Sequence, residues 1–214
     1  MNVVLLHAFP LDERMWSPQL PVLDGHQVVA PNLYDLGGNS VDDWAAHVLE
    51  PVDGAFVAVG ASMGGYVAFA LARHAPDRVR ALLLAGSRAG ADPPDRRAAR
   101  DDSIRILREE GIEAWKSQAP APPPPERTVE ELVRATEALR DRPDATDVVR
   151  TFRGPLTLVV GDRDEILPVE EAREIAALAP DGRLYVLEGV GHFASIERPK
   201  RFNEILSGLL EAAG

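Results

Sequence analysis

The sequence predicts an α/β protein: a doubly wound parallel sheet of about six strands with an inserted block of helices. Three observations carry that expectation. Short apolar runs alternate with segments of helical periodicity along most of the chain, as in a parallel sheet covered on both faces. One strand-to-helix junction is rich in glycine, Gly60-Ala61-Ser62-Met63-Gly64. Between about Ser87 and Arg153 the alternation stops and only helical patterns follow.

The first apolar run, Asn2–Leu6, reads as a buried strand ending in His7-Ala8-Phe9-Pro10, followed by a polar loop holding Trp16. Gln27–Pro31 is the second strand, and Asp35-Leu36-Gly37-Gly38-Asn39-Ser40 is a turn by composition. Ser40 is an N-cap candidate for a helix over Val41–Leu49, with Trp44 and Val48 on one face. Phe56–Val59 is the third strand, and the alanine-rich segment Tyr66–Ala75 is a helix. Val79–Ala85, Leu156–Val160 and Arg183–Glu188 complete the strands; Glu170–Leu178 and Arg198–Ala213 are the last two helices. The insert reads as Arg96–Glu110, Ile112–Ser117, Val129–Arg140 and Thr146–Phe152. Its proline-rich stretch Ala119–Pro125 is extended or turning. The division expected is a core of residues 1–86 and 154–214 with a helical lid over 87–153. An insert between parallel strands sits above the sheet's carboxyl edge, where open α/β sheets bind ligands.

The chain has 214 residues, enough for one domain with a sizeable core. Its net charge of −11 argues against nucleic acid and anionic membrane surfaces as partners. The lid carries 13 basic and 14 acidic residues against 10 and 20 elsewhere, so the acidity belongs to the sheet. Cysteine is absent, which excludes disulfide and thiolate chemistry and fits a reducing cytoplasm. No basic stretch followed by an apolar one opens the chain, and no run approaches a membrane span, so a cytoplasmic protein is expected. No His/Cys cluster has metal-ligand spacing, and neither a metal nor an organic cofactor is expected. Oligomeric state is not legible.

The glycine-rich junction is the richest in chemistry. A sharp strand-to-helix turn leaves Ser62 at its apex, and Gly60 and Gly64 let the two elements pass closely. The backbone N–H of Met63 heads the helix, where developing negative charge is favoured. A serine hydroxyl needs a base to take its proton and an acid to orient that base. Of five histidines, His26, His47 and His74 lie away from strand carboxyl ends. His7 ends the first strand and reads as scaffold. His192 lies in Gly189-Val190-Gly191-His192-Phe193, a loop of small residues that reads as mobile and able to swing an imidazole over the sheet. By itself it reads equally well as a surface histidine. The acid candidates, Asp162 and Asp164, follow the fifth strand; Asp164 has the longer reach, while Asp162 is suited to capping local N–H groups. Ser62, Asp164 and His192 each follow a separate strand and occur in the order Ser…Asp…His that belongs to one fold.

In those residues the chain resembles the α/β-hydrolases over essentially its full length. Gly60-Ala61-Ser62-Met63-Gly64-Gly65 is similar to the family's nucleophile elbow. Gly161-Asp162-Arg163-Asp164 with Pro168 resembles its acid loop, whose last Asp is catalytic. Gly191-His192 with Glu197-Arg198-Pro199 resembles its histidine loop. His7-Ala8-Phe9-Pro10 resembles the oxyanion loop, with Ala8 where glycine is usual, which implies the Phe9 and Met63 N–H groups as the donor pair. Asp35-Leu36-Gly37-Gly38 resembles a shortened family turn. The lid stretch Leu139-Arg140-Asp141-Arg142-Pro143-Asp144 is similar to enol-lactonase-like and small carboxylesterase-like members. The family's usual leading hairpin is missing, which implies a trimmed sheet ordered 2-1-3-4-5-6 with Phe9 and Ser62 flanking the switch point.

The resemblance implies hydrolysis of a small-molecule carboxylic ester or lactone, catalysed by Ser62, Asp164 and His192. Alternatives on the same residues are a cofactor-free lyase or a perhydrolase, since fold does not fix chemistry; another is a non-catalytic ligand-binding protein, disfavoured by the intact Ser62, Asp164 and His192. A halide-releasing enzyme of this fold wants Asp at position 62, and a dinucleotide binder wants glycines in His7–Glu13, where there are none. The expected apolar pocket draws on Trp16, Phe193 and Trp115, with Phe9, Met63, Ile104 and Leu107 as further candidates.

Overall fold

A computed structural model describes residues 1–124 and 126–214. Six parallel strands form one sheet: β1 (Asn2–Leu6), β2 (Gln27–Val29), β3 (Phe56–Ala61), β4 (Val79–Ala85), β5 (Leu156–Gly161) and β6 (Gly182–Leu187). Their order is β2-β1-β3-β4-β5-β6, as expected. The helices are α1 (Val41–Leu49), α2 (Met63–His74), α3 (Pro94–Glu109), α4 (Gly111–Trp115), α5 (Val129–Asp141), α6 (Thr146–Thr151), α7 (Val169–Leu178), α8 (Ala194–Glu197) and α9 (Pro199–Ala213).

Alternation along the strands divides the core in two. Val4, Leu6, Ala58, Leu82 and Leu158 point to one face, packed by Trp44 of α1, Phe69 of α2 and Ile175 of α7. Val3, Leu5, Val57, Val59 and Leu83 point to the other, under Phe202, Leu206 and Leu209 of α9. The register aligns Leu5 with Val59 and Leu6 with Gly60, which brings β1 and β3 to the carboxyl edge side by side.

Local chemistry explains most boundaries. Ser40 and Asp43 form a reciprocal capping box: Ser40 Oγ accepts from Asp43 N at 3.1 Å, and Asp43 Oδ2 accepts from Ser40 N at 3.1 Å. β2 stops at Val29, two residues short of the expected strand end at Pro31, which has no N–H to donate. Between β1 and β2 the chain makes short 3-10 turns over Glu13–Trp16 and Leu20–Leu23 rather than an α-helix, with Pro10, Pro18 and Pro21 interrupting it. The expectation of a polar loop here is corrected. Trp16 is 1% exposed and packs its ring 6.1 Å from that of Phe202, so the segment roofs the second face of the sheet.

Among the described residues four α-helices occupy the segment between β4 and β5. α3 packs on α5 and α4, whereas α6 packs on α2 and α7. α6 therefore serves as the crossover helix into β5, and within 87–153 it is α3 to α5 that form the separate layer. Residues 119–124 form neither helix nor strand, as their prolines require; Pro125 of that stretch lies outside the described residues. Among the described residues no helix is long and apolar enough to cross a membrane.

His7 shows how the edge is pinned. It is fully buried. Its Nδ1 donates to Ala8 O at 3.1 Å and its Nε2 accepts from Leu33 N at 2.8 Å, which fixes the neutral tautomer and ties β1 to the turn after β2. Burial lowers its pKa from the ordinary 6.5 to about 4. Between those values the unfolded chain binds a proton on His7 that the folded chain refuses, so the His7 contribution lowers stability as pH drops from about 6.5 to 4 and is constant below that. His7 alone accounts for about 3 kcal/mol of that loss. Urea unfolding at pH 7 and pH 4 measures it: His7→Asn, with no imidazole to charge, loses about 3 kcal/mol less than wild type. Equal losses contradict the assignment.

Candidate active site

Ser62 stands between β3 and α2 at φ 47°, ψ −108°, the one positive φ outside glycine among the described residues. Such a conformation costs on the order of 1–3 kcal/mol and persists only where surroundings enforce it. Ser62 N donates to Ala85 O at 2.7 Å, and buried Ser87 Oγ donates to Ser62 O at 3.0 Å. The tight passage of strand and helix needs bare backbone: a Cβ on Gly60 falls 2.5 Å from Gly64 O, and one on Gly64 falls 2.0 Å from Leu6 O. That packing explains why α2 begins at Met63 rather than Tyr66, in spite of two poor helix formers in its first turn. The Ser62 side chain makes no helix-cap hydrogen bond.

His192 is held more firmly than its small neighbours suggest, a correction to the expected mobile loop. Glu197 accepts from Gly191 N at 2.8 Å and from Phe193 N at 2.9 Å, gripping the backbone on both sides. Asp162 Oδ1 accepts from Gly189 N at 2.7 Å. Gly161 brings β5 so close that a Cβ there falls 2.0 Å from Val190 O.

Asp164 meets the imidazole. His192 Nδ1 lies 3.0 Å from each carboxylate oxygen, and Asp164 Oδ1 also accepts from Ile166 N at 2.8 Å and Leu167 N at 3.0 Å. Only 1% of the Asp164 side chain is exposed. The carboxylate fixes the proton on Nδ1 and leaves Nε2 with its lone pair. That Nε2 is buried and has no hydrogen-bond partner among the described residues.

Ser62 and His192 line one cavity of about 320 Å³ beneath α3, α4 and α5. Phe9 lines it too, its ring set edge-on 5.5 Å from that of Trp115, which also lines the wall. Met63 is buried in the core and is the first residue of α2. Other expected wall residues are elsewhere. Trp16 packs under the far face of the sheet. Ile104 and Leu107 are buried among the lid helices. Phe193 is absent from the cavity wall; its ring sets edge-on 5.2 Å from the His192 ring. Tyr66, Arg96, Arg100, Leu139 and Ile166 line the wall without having been foreseen. Tyr66 sits one helical turn beyond Ser62. Arg96 and Arg100 share a face of α3 at i, i+4, a spacing that becomes informative only once that face is known to look down on the elbow. A larger groove of about 930 Å³ lies at the amino edge between α2 and α6 and holds neither Ser62 nor His192. Among the described residues no three His, Cys, Asp or Glu side chains group to hold a metal.

Gly86, just after β4, carried no sequence signal beyond its place at a strand end. It has φ 64°, and a Cβ on it falls 2.8 Å from His192 Cε1 and 3.3 Å from Asp164 Oδ2. Gly86→Ala therefore pushes the imidazole away, and a crystal structure of that variant should show the 3.0 Å contact between His192 and Asp164 broken. An unchanged contact rules out this role for Gly86.

The chain is similar to known proteins over most of its length. Residues 3–205 match the family model described as alpha/beta hydrolase family. A pimeloyl-[acyl-carrier protein] methyl ester esterase from Methylococcus capsulatus is 32% identical over 83% of this chain and 82% of its own length. A 2-hydroxymuconate semialdehyde hydrolase from a Pseudomonas species is 26% identical over 92% of this chain and 81% of its own. Among solved structures, a thermophilic esterase from Thermogutta terrifontis superposes with a TM-score of 0.85 at 28% identity, covering 100% of this chain and 90% of that one. The enol-lactonase from Burkholderia xenovorans, at 20% identity and a TM-score of 0.81, covers 98% of this chain and 91% of its own and shares the fold. With its elbow, its parallel sheet and a family match over nearly its whole length, the chain belongs to the alpha/beta hydrolase family.

Proposed function

We propose that the protein is a serine hydrolase that cleaves a carboxylic ester or lactone through an acyl-enzyme on Ser62. One observation carries the reading: Ser62, on a strained turn, and His192, far away in sequence, line one cavity, and Asp164 lies 3.0 Å from His192 Nδ1. The hydrolase and esterase names of relatives support the reaction class.

Ser62 Oγ attacks the substrate carbonyl carbon while His192 Nε2 takes its proton. Asp164 keeps the ring oriented and stabilises the imidazolium. The carbonyl oxygen gathers negative charge against the N–H groups of Phe9 and Met63, the second aided by the α2 dipole. His192 then gives its proton to the leaving alcohol oxygen as the C–O bond breaks. Water enters and attacks the acyl carbon while His192 Nε2 takes its proton; the bond to Ser62 Oγ then breaks, His192 returns the proton to Oγ, and the acyl group leaves as a carboxylic acid. The reaction needs no metal or organic cofactor. The segment 87–153 acts as a lid through α3 to α5, which close the cavity over the reacting atoms and select the acyl group by size.

Labelling by a fluorophosphonate probe tests the assignment. Wild type should react, and Ser62→Ala should not. Asp164→Asn presents the wrong imidazole tautomer and should label about 10⁴-fold more slowly. Asp162→Asn keeps an oxygen acceptor for the Gly189 N–H and should stay within about tenfold of wild type. Equal rates for the two Asp variants refute the acid assignment, and labelling that survives Ser62→Ala refutes the nucleophile.

A further inference from the structure

The cavity over Ser62 has an unusual charge inventory. Among the described residues its wall holds two arginines, Arg96 and Arg100, and no acidic residue, in a chain whose net charge is −11. Arg100 shares one carboxylate: its Nε is 3.2 Å from Asp92, which lies 2.8 Å from the buried Arg142. Arg88 is paired with Glu171 at 2.8 Å. Elsewhere on the lid, exposed arginines find carboxylates readily, as Arg97 does with Asp141 at 2.9 Å and Arg108 with Glu137 at 2.8 Å. Arg96 does not. Among the described residues no carboxylate pairs with it, and its one hydrogen bond runs from Nη2 to Ile166 O at 2.8 Å.

A guanidinium carries five N–H donors in a planar fork that matches a carboxylate. Arg96 commits one of them to protein while half-buried in the wall of the reaction cavity. Burial first, and then the Arg88 charge, outweigh Tyr66 and Asp92, which act the other way, and hold its pKa below the ordinary arginine value. Both effects oppose the charge, and an anion bound from the cavity relieves both. Arg100, one turn further along the same face of α3, adds to the positive field while keeping its own partner.

We infer that the cavity takes an ester or lactone bearing a second, carboxylate group, and that Arg96 holds that carboxylate while Ser62 attacks the carbonyl at the other end. The inference rests on the hydrolase reading for the attack and on the charge inventory alone for the anion. It makes Arg96 the residue that separates half-esters of dicarboxylic acids from neutral esters of the same length.

Isothermal titration on Ser62→Ala, where no turnover intervenes, tests it with the monoethyl esters of succinic, adipic and suberic acids beside their diethyl esters. At least one half-ester should bind about tenfold or more tightly than its diester, the scale of one charge-assisted contact. Adding Arg96→Gln should erase that preference, Arg96→Lys should keep part of it, and Arg97→Gln, on the outer side of α3, should keep all of it. The inference is overturned when no half-ester is preferred, or when the preference survives Arg96→Gln. Hydrolysis by otherwise wild-type protein is scored separately. A half-ester held through Arg96 but never cleaved contradicts the hydrolase reading and supports the anion site.

Discussion

The backbone at Ser62 is the constraint on which the rest of the site depends. A φ of 47° is unfavourable for a residue with a side chain. The chain holds it there by packing β3 against α2 so tightly that Gly60 and Gly64 leave no room for a Cβ, and by tying Ser62 N and O to Ala85 and Ser87. Burial of the sheet and of α2, which is apolar on nearly all sides, supplies the stability that keeps the turn in place. The sharp turn leaves the hydroxyl free of helix capping and points the first N–H groups of α2 toward the same edge.

The same economy of backbone space recurs around the imidazole. Gly161 lets the loop before His192 lie directly on the end of β5, and Gly86 leaves room for the ring beside Asp164. Two carboxylates outside the cavity wall, Asp162 and Glu197, hold the loop by its amides. A third, Asp164, is held by the amides of Ile166 and Leu167 and turns its remaining capacity to the ring. Asp162, Asp164 and Glu197 are thus placed by backbone donors, which ties His192 and its partner to the ends of the sheet rather than to mobile side chains. His7, neutral and buried, extends that rigidity to the loop that carries Phe9.

Much of this was legible in the sequence because the decisive signals are local. Ser62, Asp164 and His192 each follow an apolar run, and the order of the three restricts the fold. The strand order followed from the family resemblance, and α3 to α6 from the break in alternation. What stayed hidden depends on contacts between distant segments. Trp16 reads as a loop residue until α9 is seen to place Phe202 against it. The start of α2 was masked by two glycines that disfavour helix locally and are required by tertiary packing. Gly86 has meaning only through His192, and Arg96 only through a cavity whose walls come from several segments of the chain and hold no carboxylate among the described residues.

The central claim is that an acyl group passes through Ser62. Rapid mixing with p-nitrophenyl butyrate, followed by acid quench and peptide mass analysis, measures it directly. The account predicts a burst of one p-nitrophenolate per protein chain, with the butyryl mass on the peptide containing Ser62. Release of p-nitrophenolate with no burst and no acylated peptide, or with the acyl group on another residue, would contradict it.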